Sequence, residues 1–453
     1  MEFDPAGEHD VIKVSGGTVT LAGGLELSPV PGFYGNGSEV SISLNNMFQF
    51  ENSASGELDL PGEVEFSSPT LQMSLEWDPA GKTCIVTASR EDDAYASLAS
   101  NGTAAAVGRA LDKAASDPGG IGDVYAGLDF SASASAVASG LDQLSPSAYA
   151  NASKLMLDGQ RLYSDLILNN SAPEGDGLWH AFVQPFGGYT DQPEESGWEA
   201  GRGGVIAGLE RTESGASVGA HVVFDHVSQD GDVNGRLRGE GLFLGLHGRW
   251  APVSWNGFHA FALGRAGLET MRMDRAFSFG AYRETADSDW TGTAGSLRVG
   301  GGWDADFGSF SFGPFAQLDY AFNARPSMDE SGSTASLHLG SELFQSLRSG
   351  LGLRIVSKGT HLASGLLLKA QASATWNHEL LDKAGSFDAS FRQARNASFS
   401  HDAEWEGRDS LGLSAGVSLD KGNGLSISFH GGTELFRHKA SSLWGKASLN
   451  WKF

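Results

Sequence analysis

Few residues of this chain have both the type and the spacing for chemistry. Gly215-Ala216-Ser217-Val218-Gly219 matches the Gly-x-Ser-x-Gly spacing of a nucleophile elbow. An elbow needs a strand before the serine and a helix behind it, so that the hydroxyl projects from a strained turn. Here Val218-Gly219-Ala220-His221-Val222-Val223-Phe224 reads as a strand that begins at the serine. Ser217 is therefore expected to be a small residue beside a hairpin. The 12 histidines include no His-x-x-x-His pair, so a metal centre is not expected. Cys84 is the single cysteine, which excludes an internal disulfide and a zinc site built on several thiolates. Asp and Glu number 55 against 31 Lys and Arg, a formal charge of −24. A nucleic-acid partner is not expected, because phosphate binding needs clustered bases. No catalytic residue and no cofactor are expected on these grounds.

The pattern that dominates the chain is alternation. Leu411, Leu413, Ala415, Val417 and Leu419 alternate with Gly412, Ser414, Gly416 and Ser418. Leu366, Leu368, Ala370, Ala372, Ala374 and Trp376 do the same with Lys369, Gln371, Ser373 and Thr375. Such period-two segments predict twelve strands, near 179–189, 200–212, 214–228, 238–251, 254–272, 290–306, 309–323, 345–358, 362–379, 408–420, 423–437 and 442–453. Many approach the 9–11 residues that cross a bilayer, beyond the usual strand of about 5–6. One face carries glycine, serine and mixed charges: Arg265, Glu269, Arg298, Asp304, Arg348, Arg354, Lys369 and Glu434. That suits a narrow polar lumen. Asp225, Glu269 and Asp319 are expected to pair there with inward arginines. Tryptophans 179, 250, 255, 303, 376, 444 and 451 gather at strand ends, as an interfacial girdle would place them. Segments 229–237, 273–289, 324–343 and 380–407 read as long polar loops, and Glu213-Ser214-Gly215 and Lys421-Gly422-Asn423-Gly424 as tight turns. Lipid forces every backbone group to be paired, so the sheet is expected to close. The fold class is therefore all-β: a 12-stranded antiparallel transmembrane barrel over residues 178–453.

Two territories precede it. Residues 8–90 read as short strands broken by Gly16-Gly17, Gly23-Gly24 and Asn36-Gly37, a β-solenoid end in preference to a small sandwich. Residues 93–177 turn alanine-rich and helical, around 103–111, 132–141 and 146–168. In the last, Ser145 is a candidate N-cap, Pro146 suits the first position, and Tyr149, Ala152, Met156, Gly159, Tyr163 and Leu166 recur at helical steps. At 1.5 Å per residue this helix is ~35 Å long, enough to cross a hydrocarbon layer of ~30 Å. Lys154, Asp158, Gln160, Arg161 and Asp165 could not face lipid, so it must cross inside something polar. No window is apolar enough for a transmembrane helix. Met1-Glu2-Phe3-Asp4-Pro5 lacks signal-peptide features, and the chain reads as an internal piece of a longer precursor.

The chain ends in a strand whose outer face is Leu443, Gly445, Ala447, Leu449, Trp451 and Phe453. A terminal aromatic strand is similar to the signal read by the outer-membrane barrel assembly machinery, which makes Phe453, Trp451 and Leu449 the candidate assembly signal. Further stretches carry a wider resemblance. They are Asn101-Gly102-Thr103-Ala104-Ala105-Ala106-Val107-Gly108-Arg109-Ala110-Leu111-Asp112, Gly140-Leu141-Asp142-Gln143-Leu144-Ser145-Pro146-Ser147-Ala148-Tyr149, Gly177-Leu178-Trp179 with Gly187-Gly188, and Ser346 to Arg354. Together, over residues 93–453, they resemble the C-terminal part of a bacterial type V autotransporter of the monomeric kind.

The resemblance implies that residues 1–92 are the end of a passenger and that 178–453 insert in the outer membrane as its translocator. The helix 146–168 would thread the lumen, through Tyr149, Met156, Arg161 and Tyr163. The passenger would be carried to the cell surface. Implied partners are outer-membrane lipid, the assembly machinery, periplasmic chaperones and the chain's own passenger; the protein would be a monomer, bind no nucleic acid and not be an enzyme. Some relatives cut themselves between two asparagines inside the barrel, which makes Asn169-Asn170 a candidate processing site. Asn is also a common helix C-cap, and this pair lies closer to the first strand than in the cleaving relatives, so a cap is the preferred reading. The alternatives are an outer-membrane porin, or an anchor for a surface enzyme or adhesin whose active part lies outside this chain.

Overall fold

The computed structural model describes the chain apart from residues 52–53, 57–58, 60–61, 171–177, 193–196, 232–234, 253, 255, 406 and 438–439. Gly177 and Trp255, singled out above, fall outside the described residues. Twelve long strands appear among the rest. They are β1 (Leu178–Gln192), β2 (Trp198–Glu213), β3 (Ala216–Gly231), β4 (Arg236–Trp250), β5 (Phe258–Phe279), β6 (Tyr282–Trp303), β7 (Phe310–Arg325), β8 (Glu342–Ser357), β9 (Leu367–Glu379), β10 (Asp409–Asp420), β11 (Leu425–Arg437) and β12 (Ala440–Lys452). Each pairs antiparallel with its sequence neighbours. β1 also pairs with β12, from His180 opposite Lys452 to Asp191 opposite Ser441, so the sheet closes into a barrel without edges. The β2–β3 turn is two residues, Ser214 at φ 52° and Gly215 at φ 78°. That left-handed pair matches the twist of the flanking strands.

The barrel is inside out relative to a soluble one. Leu244, Leu246 and Leu443 stand 68%, 67% and 65% exposed on the outer wall. Gln184, Glu210, Asp225, Arg265, Arg298 and Asp319 are buried on the inner wall. A hydrocarbon surround is the solvent in which this polarity is stable. Trp179, Trp303, Trp376 and Trp451 face outward. Trp250 and Trp444 depart from the expected girdle: both border the lumen, Trp444 because even positions of β12 point inward.

Two expected loops are not loops. Segment 273–289 is strand apart from the Gly280-Ala281 turn, so β5 and β6 each run to 22 residues and project beyond the wall. This is roughly ten residues more than a crossing needs. Segment 380–407 holds a hairpin, Lys383–Phe391 with Ala394–Glu404, which forms a second sheet with Met328–Asp329 and Leu337–Leu339. Their period-two alternation carries apolar residues such as Phe277, Phe279, Phe387 and Phe399, which are buried against the helices.

Those helices are α1 (Gly102–Ala114), α2 (Gly122–Asp129), α3 (Ala134–Leu144) and α4 (Ser147–Leu168). Asn101 caps α1 by accepting from the Ala104 N–H at 2.9 Å, and Ser133 caps α3 through Ala136 at 3.2 Å. The expected cap at Ser145 is displaced. Pro146 is the N-cap of α4, without a side-chain bond, and Ser145 closes the end of α3. α2 was not expected. Residues 93–145 are thus a packed body and not an extended linker: Val107, Leu111, Val124, Leu128, Val137 and Leu141 share one core with Phe277, Phe279, Phe391 and Phe399.

Residues 1–92 pair as successive coils. Ile12–Val14 lies parallel to Phe48–Phe50, and Val19–Leu21 parallel to Ala54–Gly56. An antiparallel sheet of Glu39–Ser43, Gln72–Asp78 and Thr83–Ser89 closes this part and buries Cys84. It is joined to the helices by buried polar groups. The Arg90 guanidinium pairs with Asp129, which also accepts from Thr70 Oγ1 at 2.7 Å and Tyr95 OH at 2.6 Å.

Candidate functional site: the occupied lumen

α4 lies inside the barrel, with most of its 22 residues buried. Its polar side chains, which exclude it from lipid, find partners around the wall. Tyr149 OH donates to Glu330 at 2.6 Å, and Ser153 Oγ to Glu342 at 2.6 Å. Met156 and the Leu155 carbonyl contact Arg202, whose guanidinium also meets Asp225 and the Tyr163 hydroxyl. Tyr163 OH donates to Asp225 at 2.6 Å. Arg298 bridges Asp319 on the wall at 2.5 Å and Asp165 on the helix. Tyr149, Met156, Arg161 and Tyr163, singled out from sequence, all lie on this interface.

A ring of charges surrounds the middle of the helix. Arg161 reaches Asp158 at 2.7 Å and Glu379 at 3.3 Å. Arg437 reaches Asp158 at 2.8 Å, and Arg348 reaches Glu434 at 2.8 Å. A bulge in β11 between Glu434 and Arg437 puts Phe436 at φ 63° and 77% exposed. The same bulge turns Arg437 inward to the helix.

The wall also matches the helix end for end. Glu342 at the start of β8, together with Glu330 in the β7–β8 connection, stands at the first turns, where the helix dipole is positive. At the other end Lys446 Nζ donates to the Leu166 carbonyl at 2.5 Å, and Arg249 to Ile167 at 2.7 Å and Asn170 at 3.2 Å. The Leu166 and Ile167 carbonyls belong to the last turn of the helix, at its negative end, and Asn170 follows directly after its C-cap. Sequence marked neither base, because their acceptors are backbone atoms far away in the chain.

The candidate processing pair belongs to this end. Asn169 is the C-cap of α4, and Asn170 Oδ1 accepts from Ser448 Oγ at 3.1 Å. Among the described residues the hydrogen-bond partners of Asn170 are Ser448, Arg249 and the Ile167 carbonyl, and no carboxylate is among them. Ser217 sits at the start of β3, with strand and no helix behind it. Among the described residues no three His, Cys, Asp or Glu side chains converge as a metal site. Asp225 and Asp319 pair with arginines as expected, whereas Glu269 accepts from Asn323.

α4 does not fill the lumen. A cavity of about 710 Å³ remains beside it, bounded by Arg298, Arg348 and Arg437 and reaching Lys369 and Val356 at the short-turn end. At the terminus, Leu449, Trp451 and Phe453 point outward, and the Phe453 N–H donates to the Trp179 carbonyl at 2.9 Å.

Residues 181–432 match the family profile of the autotransporter β-domain. Solved structures also align with the chain, the first of them as the same fold. The translocator domain of the autotransporter NalP from Neisseria meningitidis aligns at TM-score 0.52 and 16% identity, covering 68% of this chain and 98% of that one. The β-domain of the Bordetella autotransporter BrkA aligns at TM-score 0.43 and 15% identity, over 60% of this chain and 98% of that one. The transport unit of AIDA-I from Escherichia coli aligns at 0.43 and 11%, over 66% and 97%. No curated protein matches the chain.

Proposed function

The chain belongs to the autotransporter family, and we propose that its structure is the resting state of a translocator that has finished carrying its own N-terminal segment, residues 1–92, to the cell surface. The barrel is an outer-membrane translocator. The observation that carries our reading is the path of α4. It joins the helical body on the long-connection side to β1 on the short-turn side, through a lumen whose charges are matched to it. A chain exported through the barrel and then parked there leaves this trace. A porin would have little use for a wall committed to a helix.

The barrel assembly machinery recognises the outward edge Leu449, Trp451 and Phe453, periplasmic chaperones hold the unfolded chain before insertion, and the barrel works as a monomer. It has no enzymatic role: Ser217 lacks an elbow. Asn169 and Asn170 end and anchor α4 and are not a cleavage point, since Asn170 is held by Ser448 and Arg249 and meets no acid among the described residues. The test expresses the chain behind a signal peptide and compares unboiled with boiled outer-membrane extracts. A faster-running unboiled band and protease-accessible residues 1–92 on intact cells are expected. A heat-modifiable band with residues 1–92 protected would sink the transport reading. Loss of the heat-modifiable band on removing Phe453 is expected; undiminished insertion would remove the assembly role.

A further inference from the structure

The cavity beside α4 runs along the inner wall past the ring of Arg161, Arg348 and Arg437 and reaches Thr190 and Ala440, at the ends of β1 and β12 on the side of the long connections. Beyond that ring stands Trp405, with the Arg161 guanidinium 5.9 Å from its ring centre. Above it lie the 383–404 hairpin and α1. An α-helix is ~10–12 Å across with its side chains, and here it leaves some 710 Å³ of lumen open at its flank. The helix alone therefore does not close the pore.

What covers it has two halves. One is made of barrel connections, with Phe277, Phe279 and Tyr282 on the β5–β6 hairpin and Phe387, Phe391 and Phe399 on the 383–404 hairpin. The other is made of α1–α3. The halves meet in one apolar core and at close backbone approaches. The Gly120 N–H donates to the Gln393 carbonyl at 3.0 Å, and Asn396 Nδ2 donates to the Asp117 carbonyl at 2.9 Å. A Cβ on Gly127 would stand 2.6 Å from Tyr282 Cβ and 2.8 Å from a Phe279 ring carbon. Either half alone would expose an apolar patch.

We propose that this cap, and not α4, is the permeability seal of the barrel, and that α1–α3 complete it. The second clause rests on the transport reading. α1–α3 lie between residues 1–92 and α4, so they are the last part of the chain to leave the lumen before α4 lodges in it. The barrel then closes only when export is finished.

The test uses the full chain in cells, with entry of a small hydrophilic β-lactam into the periplasm as the readout. Gly127→Val is a wedge under the β5–β6 hairpin and Gly120→Val one under Gln393. Ala397→Cys reports undocking by thiol labelling, because Ala397 is fully buried in the shared core and the native Cys84 is buried too. The double wedge should raise entry at least several-fold while the barrel stays heat-modifiable and Ala397→Cys becomes labelled. Labelling with entry unchanged would overturn the proposal. Where the wedges prevent assembly, Phe391→Ala removes packing without adding bulk and is read the same way. A tight wild-type barrel that keeps residues 1–92 inside would refute transport and leave the seal to be judged by the wedge alone.

Discussion

Arg275 and Glu330 form an ion pair in which Nη1 lies 2.8 Å from Oε1 and 3.0 Å from Oε2, with neither side chain exposed. Arg275 belongs to β5, and Glu330 to the β7–β8 connection. The pair holds the α3–α4 junction from both sides: Arg275 Nη2 donates to the Gln143 and Ser145 carbonyls at 2.8 and 3.0 Å, and Glu330 accepts from Tyr149. Glu330→Ala leaves a buried guanidinium without its counter-charge, at a cost of about 3–5 kcal/mol. Protease cutting within 102–145 should appear in the variant while the barrel stays heat-modifiable. Arg275→Met with Glu330→Met should recover much of the protection, and failure to do so would mean that the hydrogen bonds to the junction matter more than the charges.

Gly159 gives a prediction whose sign is set by one contact. Ala for Gly inside a helix normally gains about 1 kcal/mol. At this position the new Cβ would stand 2.5 Å from Arg202 Cζ. That guanidinium is tied to Asp225, Tyr163 and the Leu155 carbonyl, and buried charged hydrogen bonds contribute about 1.5–3 kcal/mol each. Gly159→Ala should therefore lower the temperature at which the unboiled band converts to the unfolded one. A raised temperature would show that Arg202 yields without loss.

Asp129 joins residues 1–92 to the helices. Asp129→Asn keeps the shape but takes the charge from beside Arg90 and weakens the bonds from Thr70 and Tyr95. A loss of about 3 kcal/mol in the stability of that junction is expected. It should appear as faster proteolysis after Arg90 on intact cells. Unchanged protection would mean that apolar packing alone holds the junction.

The tip of the β5–β6 hairpin should loosen in acid. Burial acts to raise the Glu284 carboxyl, but bonds from Tyr282, Ser333 and Thr334 outweigh it and hold the group below the usual carboxylate range. A depressed folded value means that its contribution is present above the unfolded value of about 4.3 and is lost as pH falls below that. Protection of the Thr334 and Ala335 amides from hydrogen exchange, relative to an unstructured peptide at the same pH, should therefore fall between pH 5 and pH 3, and Glu284→Gln should flatten this dependence. Equal pH dependence in both proteins would remove Glu284 as the cause.

The barrel is legible from residue types alone. Period-two alternation fixes which face of each strand meets lipid, and that information is local, so twelve strands, their order and the outward edge ending in Phe453 were legible. So was a helix too polar for lipid, since its charges are visible without knowing what they touch. The remaining features depend on contacts between segments far apart in the chain. Segments 273–289 and 380–407 alternate too, but their charges made them look like loops, because the surface that buries Phe279 and Phe399 is α1–α3, hundreds of residues away for Phe399. Arg249 and Lys446 carry no sequence mark as receivers of a helix end, since a backbone carbonyl has no residue type. The division follows from range: solvent preference is written residue by residue, whereas the seating of α4 and the closure of its cap depend on pairs that only the closed barrel brings together.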